Sequence, residues 1–213
     1  MELPLFPLHT VLFPGRPLPL HVFEQRYRDM LSACLASDRR FGVVAIRSGA
    51  EVGDTADFFD VGTVAEIERV EHLDDGRANI VTRGVERFRI SSVLTNTSYL
   101  RAEAELFPEP PTSDAARQCA HEVRNVLIPY LAALGAPRQM LERVPTAPKE
   151  LGWLAASTLQ VELPVLQELL EMPDCSRRLQ QTLQILRREA GIVRHFGSVA
   201  SLRPAGPGGA ELN

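Results

Sequence analysis

VGTVAEIERVEHLDDGRANIVTRGVERFRI, residues 61–90, sets the fold class. Two β-rich runs, 61–72 and 77–90, flank Asp74-Asp75-Gly76. Asp-Gly supplies the positive-φ positions of a tight turn, so the stretch predicts a long hairpin. Downstream, YLRAEAELF at 99–107 alternates, with Leu100, Ala102, Ala104 and Leu106 on one face and Arg101, Glu103 and Glu105 on the other. That is the period of a strand with one dry face and one wet face. Upstream, FGVVAIR at 41–47 is a short apolar run that suits a central strand. Before it, Phe23, Tyr27, Met30, Leu31, Cys34 and Leu35 recur at helical spacing. Many strands around one inserted helix predict a closed or nearly closed β-barrel over residues 1–107.

A proline-rich linker, PEPPTS at 108–113, ends the strand pattern. Residues 114–196 then read as a helical bundle. Val123, Val126, Leu127, Tyr130, Leu131 and Leu134 share one face, and Pro129 should kink or divide that helix. Pro145 and Pro148 precede a second helix carrying Leu151, Leu154, Ala155, Thr158 and Leu159. Pro164 can open a third at its first turn, and Pro173-Asp174 starts the last. There Leu179, Leu183, Leu186, Ala190 and Val193 form a stripe, widened by Ile185 and Ile192, that suits intramolecular packing. Residues 197–213, ending RPAGPGGAELN, read as a disordered tail. The class is α+β.

The 213 residues can bury a core without staples. A formal charge of −4 argues against a general polyanion binder and makes nucleic acid an unfavoured partner. Cys34, Cys119 and Cys175 are odd in number and lack metal-ligand spacing, so they read as buried thiols in a reducing compartment. The N-terminus, Met1-Glu2-Leu3-Pro4 onward, has no basic region and is interrupted by Pro7, Pro14, Pro17 and Pro19, unlike a signal peptide. No run reaches the roughly 18 apolar residues of a membrane span. A cytoplasmic soluble protein is the expectation.

The search for chemistry marks no catalytic, cofactor-binding or metal-ligating residue. No GxxxxGK[ST] loop is present to cradle phosphate. Gly49-Ala50-Glu51-Val52-Gly53 reads as a loop turn, and Gly62 and Gly84 as bulges or close approaches within strands. Of His9, His21, His72, His121 and His195, His121 precedes a glutamate but lacks the second histidine of a zincin motif four residues on, and His9 with His21 alone makes a poor metal site. A Ser-Lys dyad would need Lys149, the only lysine, which follows Pro148 at a helix start and reads as exposed. An exposed lysine is a poor base at neutral pH.

The strongest charge feature is RGVERFR, residues 83–89. Arg83, Arg87 and Arg89 share one strand parity, which would make a basic stripe able to contact RNA or another anion. The alternative is a solvated face paired to Glu66, Glu68 and Glu103 of neighbouring strands, which the acidic chain favours.

LPLFPLHTVLFPGRPLPLHVFEQRYRDML at 3–31 closely resembles the opening motif of the Lon N-terminal domain family. The resemblance continues through FGVVAI at 41–46, VGTVAEI at 61–67, DGRANIVTRGVERFRI at 75–90 and YLRAEAEL at 99–106. It extends, more weakly, through LPVLQELLEMPDCSRRLQQTLQILRRE at 163–189. The family commonly has proline at position 25, where Gln25 stands, and Lys-Gln where Leu166-Gln167 stands.

The resemblance implies a PUA-like pseudo-barrel followed by a helical bundle, and recognition of unfolded or damaged polypeptide. Pro14-Gly15 reads as a turn and Phe88 as a core side chain. A full-length Lon-type protease continues into an ATPase module and a Ser-Lys peptidase domain, and this sequence holds neither motif. The expected function is therefore non-catalytic polypeptide binding, with an adaptor role beside a separate protease or chaperone. RNA binding through Arg83, Arg87 and Arg89 is the alternative, and a cryptic hydrolase the third. The polypeptide-binding residues are unlocated; an apolar groove at the barrel–bundle junction or barrel rim is the physical expectation.

Overall fold

The hairpin forms as its turn chemistry predicts: Gly76 sits at φ +81°, and its N–H donates to Leu73 O at 3.0 Å. The structure is a computed structural model that describes residues 1–49, 57–94 and 98–196, with backbone only at 194–196. The hairpin strands are β5 (Val61–His72) and β6 (Ala78–Leu94), preceded by β1 (Glu2–Leu8), β2 (Pro17–Val22), α1 (Gln25–Leu35), β3 (Arg40–Ser48) and β4 (Asp57–Phe58). Strand β7 (Arg101–Leu106) follows. The long β6 pairs β5 on one side; on the other it pairs β2 along its first half and β7 along its second. Strand β1 runs antiparallel to β7 and parallel to β3, so the path β1-β7-β6-β5-β3 returns to β1. Closure leaves few unpaired strand edges.

Two glycines let that ring tighten. A Cβ on Gly42 would lie 2.6 Å, and one on Gly62 2.7 Å, from Cζ of Phe88, whose ring is fully buried. Phe88 thus fills space that side chains at 42 and 62 would occupy. Ala102 and Ala104 of β7 complete this layer, while Leu106 on the same parity is exposed. Helix α1 covers a second layer with Tyr27, Met30, Leu31 and Cys34, the Tyr27 ring stacked 4.0 Å from that of Phe6. Phe23, counted on the helical stripe, instead precedes α1 and is exposed. The chain is still extended at Glu24, so position 23 has no helical face.

The second half comprises α2 (Asp114–Ala133), α3 (Arg138–Glu142), α4 (Pro148–Thr158), α5 (Leu163–Glu171) and α6 (Cys175–Phe196). Ser113 caps α2, its hydroxyl oxygen accepting the Ala116 N–H at 3.2 Å. Pro129 neither ends nor divides α2, which runs on to Ala133. Leu127, Tyr130 and Leu131 on either side are buried in the helical core, and that packing outweighs the proline penalty of about 3 kcal/mol. Proline does open α4 and stands in the first turn of α5, where a missing N–H costs least. Asp174 accepts the Arg177 N–H at 2.9 Å at the start of α6, whose Leu179, Leu183, Leu186, Ala190 and Val193 are buried. Ile192 is exposed. The short α3 carries no periodic signal in the sequence. The predicted tail at 197–213, and all of the predicted 49–53 loop except Gly49, lie outside the described residues.

Phe13 and Val61 from the strand half belong to the helical core cluster, and Gln167 of α5 donates to Val61 O at 2.9 Å. The two halves therefore share packing and hydrogen bonds. All three cysteines are buried and free. Burial pushes the Cys34 and Cys175 thiols from 9.0 up to about 11 and raises Cys119 as well. The native protein should therefore resist iodoacetamide at pH 8, and all three thiols should react in denaturant. Because the unfolded chain releases these protons near pH 9 and the folded chain holds them to about 11, stability should fall as pH rises above about 9. Mass spectrometry of alkylated protein and alkaline denaturation curves check the two statements. Rapid native labelling of Cys34 or Cys175 would contradict this burial.

Candidate functional site

The arginine stripe of residues 83–89 does not form. Between Gly84, paired with Ala65, and Arg87, paired with Thr63, β6 advances one residue more than β5. This bulge breaks the two-residue parity. Arg83 stays outside, where its Nε donates to Glu68 and its Nη1 to Gly15 O at 3.1 Å. Arg89 is also exposed, with its guanidinium over the Phe107 ring at 5.1 Å. Arg87 turns inward and is only 3% exposed. Its Nη1 donates to Leu170 O at 2.7 Å and to Met172 O at 2.6 Å, at the C-terminal end of α5. A basic face for RNA would need Arg87 in solvent, so Arg83, Arg87 and Arg89 form no such face.

Arg87 is one side of a sandwich around Trp153. Its Cζ lies 5.2 Å from that ring centroid and 4.3 Å from that of Phe107, while Arg178 of α6 stacks on Trp153 at 3.3 Å. Arg178 is fully buried and pairs with Glu109, which thereby anchors the 108–113 segment against α6. Burial depresses both guanidinium pKa values, Arg87 to about 10, and their mutual repulsion adds to the effect at Arg87. Both stay charged at neutral pH.

This sandwich fixes the floor of a half-open cleft of about 920 Å³ between the sheet and the helices. The floor is Trp153 and Leu154 of α4 with Leu131 of α2. One wall is the outer face of the β5–β6 bulge, with Glu66, Glu68, Arg83 and Val85, joined by the Pro14–Arg16 turn. That turn is stitched to the bulge, Gly15 N–H donating to Gly84 O and Gly84 N–H to Arg16 O. The opposite wall is α3 and its flanking loops, with Pro137, Met140, Arg143, Val144 and Pro145. Met140 is 43% exposed, an apolar side chain held at the lip. The arrangement offers a trough lined by apolar side chains and rimmed by charge.

Lys149 is half-buried rather than exposed; it lines the cleft and donates to Glu109 O at 3.4 Å. His21 lies on β2, with Nδ1 2.8 Å from Asn79 Oδ1. Among the described residues, no group of three or more His, Cys, Asp or Glu side chains could hold a metal ion. No helix among them is long and apolar enough to cross a membrane. Sequence reasoning missed Arg16, Met140 and Trp153, which line the cleft, because turns, a five-residue helix and a lone tryptophan carry no periodic signature. Arg178 gave a faint one: it falls on the same α6 stripe as Cys175, Leu179 and Thr182, an arginine at a core position.

A family model described as the ATP-dependent protease La (LON) substrate-binding domain matches residues 2–188. Lon protease 2 of Herpetosiphon aurantiacus is 30% identical over 201 residues, covering 91% of this chain and 24% of that protein. The chain thus spans about a quarter of the length of the curated relatives it matches. Among solved structures, a Lon N-terminal domain protein from Xanthomonas campestris superposes with a TM-score of 0.65 at 27% identity, covering 86% of this chain and 98% of its own. The N-terminal domain of a Mycobacterium avium complex Lon protease gives a TM-score of 0.71 at 20% identity over 88% and 98%, a likeness of fold.

Proposed function

The chain belongs to the ATP-dependent protease La (Lon) substrate-binding domain family, and from that premise we propose that it binds non-native polypeptide in the cleft between sheet and helices, without catalysing a reaction on it. The observation that carries this reading is the cleft's apolar lining, to which the largely buried Trp153, Leu154 and Leu131 contribute together with an exposed Met140. Unfolded chains expose apolar side chains at irregular spacing, and an open trough takes them without demanding one sequence. Flexible methionine suits such a surface because it repacks around different partners. We read the closed sheet, residues 1–107, as the PUA-like pseudo-barrel and residues 114–196 as its bundle, joined by the anchored 108–113 segment. In the cytoplasm such a protein would deliver clients to a separate protease or chaperone.

The test is fluorescence anisotropy with labelled, permanently unfolded casein. Binding on the order of tens of micromolar is expected, the range of a shallow apolar site. Met140→Glu should weaken it by about tenfold, or about 1.4 kcal/mol, because binding would bury the new carboxylate against Trp153. Met140 is exposed, so its thermal midpoint should match the parent. Unchanged casein affinity in Met140→Glu would place binding elsewhere.

A further inference from the structure

The cleft has an unbalanced charge. Its cations are Arg16, Arg83, Arg143 and Lys149, and its carboxylates Glu66, Glu68 and Glu150. Arg83 is paired with Glu68, and Glu66 is held by Arg40 from β3 at 2.8 Å. That leaves Arg16, Arg143 and Lys149 facing Glu150, a local positive excess in a chain whose net charge is −4. Arg16 is the distinctive member. It is half-buried at the foot of the sheet wall, on a turn whose backbone is tied to β6 from both sides. Among the described residues no carboxylate pairs with it, and burial and repulsion from Arg83 both disfavour its charge. A partly desolvated guanidinium that sits beside another cation gains most from an incoming carboxylate, which replaces lost hydration with a charge-assisted bond.

We propose that the cleft selects polypeptide segments in which an aspartate or glutamate lies next to a large apolar residue, the carboxylate pairing with Arg16 while the apolar side chain rests on Trp153 and Met140. This rests on the cleft being the polypeptide site. The proposed occupant is an internal stretch of chain and the proposed anion a side chain, not a C-terminus. Arg143 and Lys149 add a long-range field that draws such segments toward the cleft.

The experiment uses the full chain and two labelled peptides, one of mixed Leu, Phe, Asp and Glu, and one with Asn and Gln replacing the acids. Both are tested with free and amidated C-termini. The acidic peptide should bind about tenfold more tightly, with the difference shrinking as salt rises. Arg16→Met should abolish the difference, and Arg16→Lys should restore part of it, with thermal melts confirming that each variant is folded. Equal affinities for the two peptides, or a preference that survives Arg16→Met, would overturn the carboxylate proposal alone. So would a preference that disappears when the C-terminus is amidated. No binding by either peptide would overturn the cleft reading beneath it as well.

Discussion

Arg178→Ala is expected to destabilise the protein by about 3–5 kcal/mol, the range for breaking a buried ion pair by removing one partner. Arg178 is fully buried, and its Glu109 partner is only 9% exposed. Truncation would leave that carboxylate in a low-dielectric pocket with its cation gone. It would also remove the guanidinium stacked 3.3 Å from the centre of Trp153 and open a void in the helical core. Gly152 shows how closely this space is shared, since a Cβ there would come within 3.3 Å of Arg178 Nε. Glu109→Ala should cost a similar amount, leaving Arg178 as the uncompensated charge. The paired change Arg178→Leu with Glu109→Leu should cost clearly less than the two single changes summed, because no lone charge stays buried. Trp153 is the only tryptophan, so its fluorescence during urea unfolding reports directly on this pair. A single variant that loses less than about 1 kcal/mol would mean the pair is solvated like a surface bridge.

How much of this was legible beforehand depends on the periodicity of each part. The Asp-Gly turn, the alternation of Arg101–Leu106 and the apolar run around Val43 announced the sheet, because strand period and turn chemistry are local properties. Phe88 and Gly62 were readable as a core ring and a close approach, and a Cβ at 62 would indeed strike that ring. What parity could not supply was Arg87. One extra residue in β6 rotates everything beyond Gly84, and a bulge depends on the partner strand, not on its own sequence. The cleft was hidden for a related reason. Its walls come from residues 14–16, 83–85 and 137–145, segments far apart in the chain that meet only when the sheet closes. Glu109, placed in a proline-rich linker by composition, owes its burial to an arginine 69 residues away.

The same bulge makes Arg87 the second sensitive position, and the direction of its effect separates the buried reading from a surface one. On an exposed RNA-binding face, Arg87→Ala would leave stability within about 0.5 kcal/mol of the parent. Buried, it should cost about 3 kcal/mol, since two carbonyls at the end of α5, Leu170 O and Met172 O, lose a charged donor they share. Arg87→Lys should recover little of that, because an ammonium cannot reproduce the planar contact with Phe107 and Trp153 while reaching both oxygens. The loss is held down by two opposing facts: Nη2 of Arg87 has no hydrogen-bond partner among the described residues, and Arg178 repels the guanidinium. The double variant Arg87→Ala with Arg178→Ala should therefore lose more than the sum of the two single losses, because each single change already relieves the same repulsion. Urea melts of the four proteins measure that coupling. Hydrogen exchange would show where it acts, with faster exchange at the end of α5 in Arg87→Ala. A variant that melts with the parent and keeps that protection would put Arg87 back on the surface. One that fails both tests would also lose casein binding, because the α5 contact and Trp153, the floor of the cleft, are held by the same guanidinium.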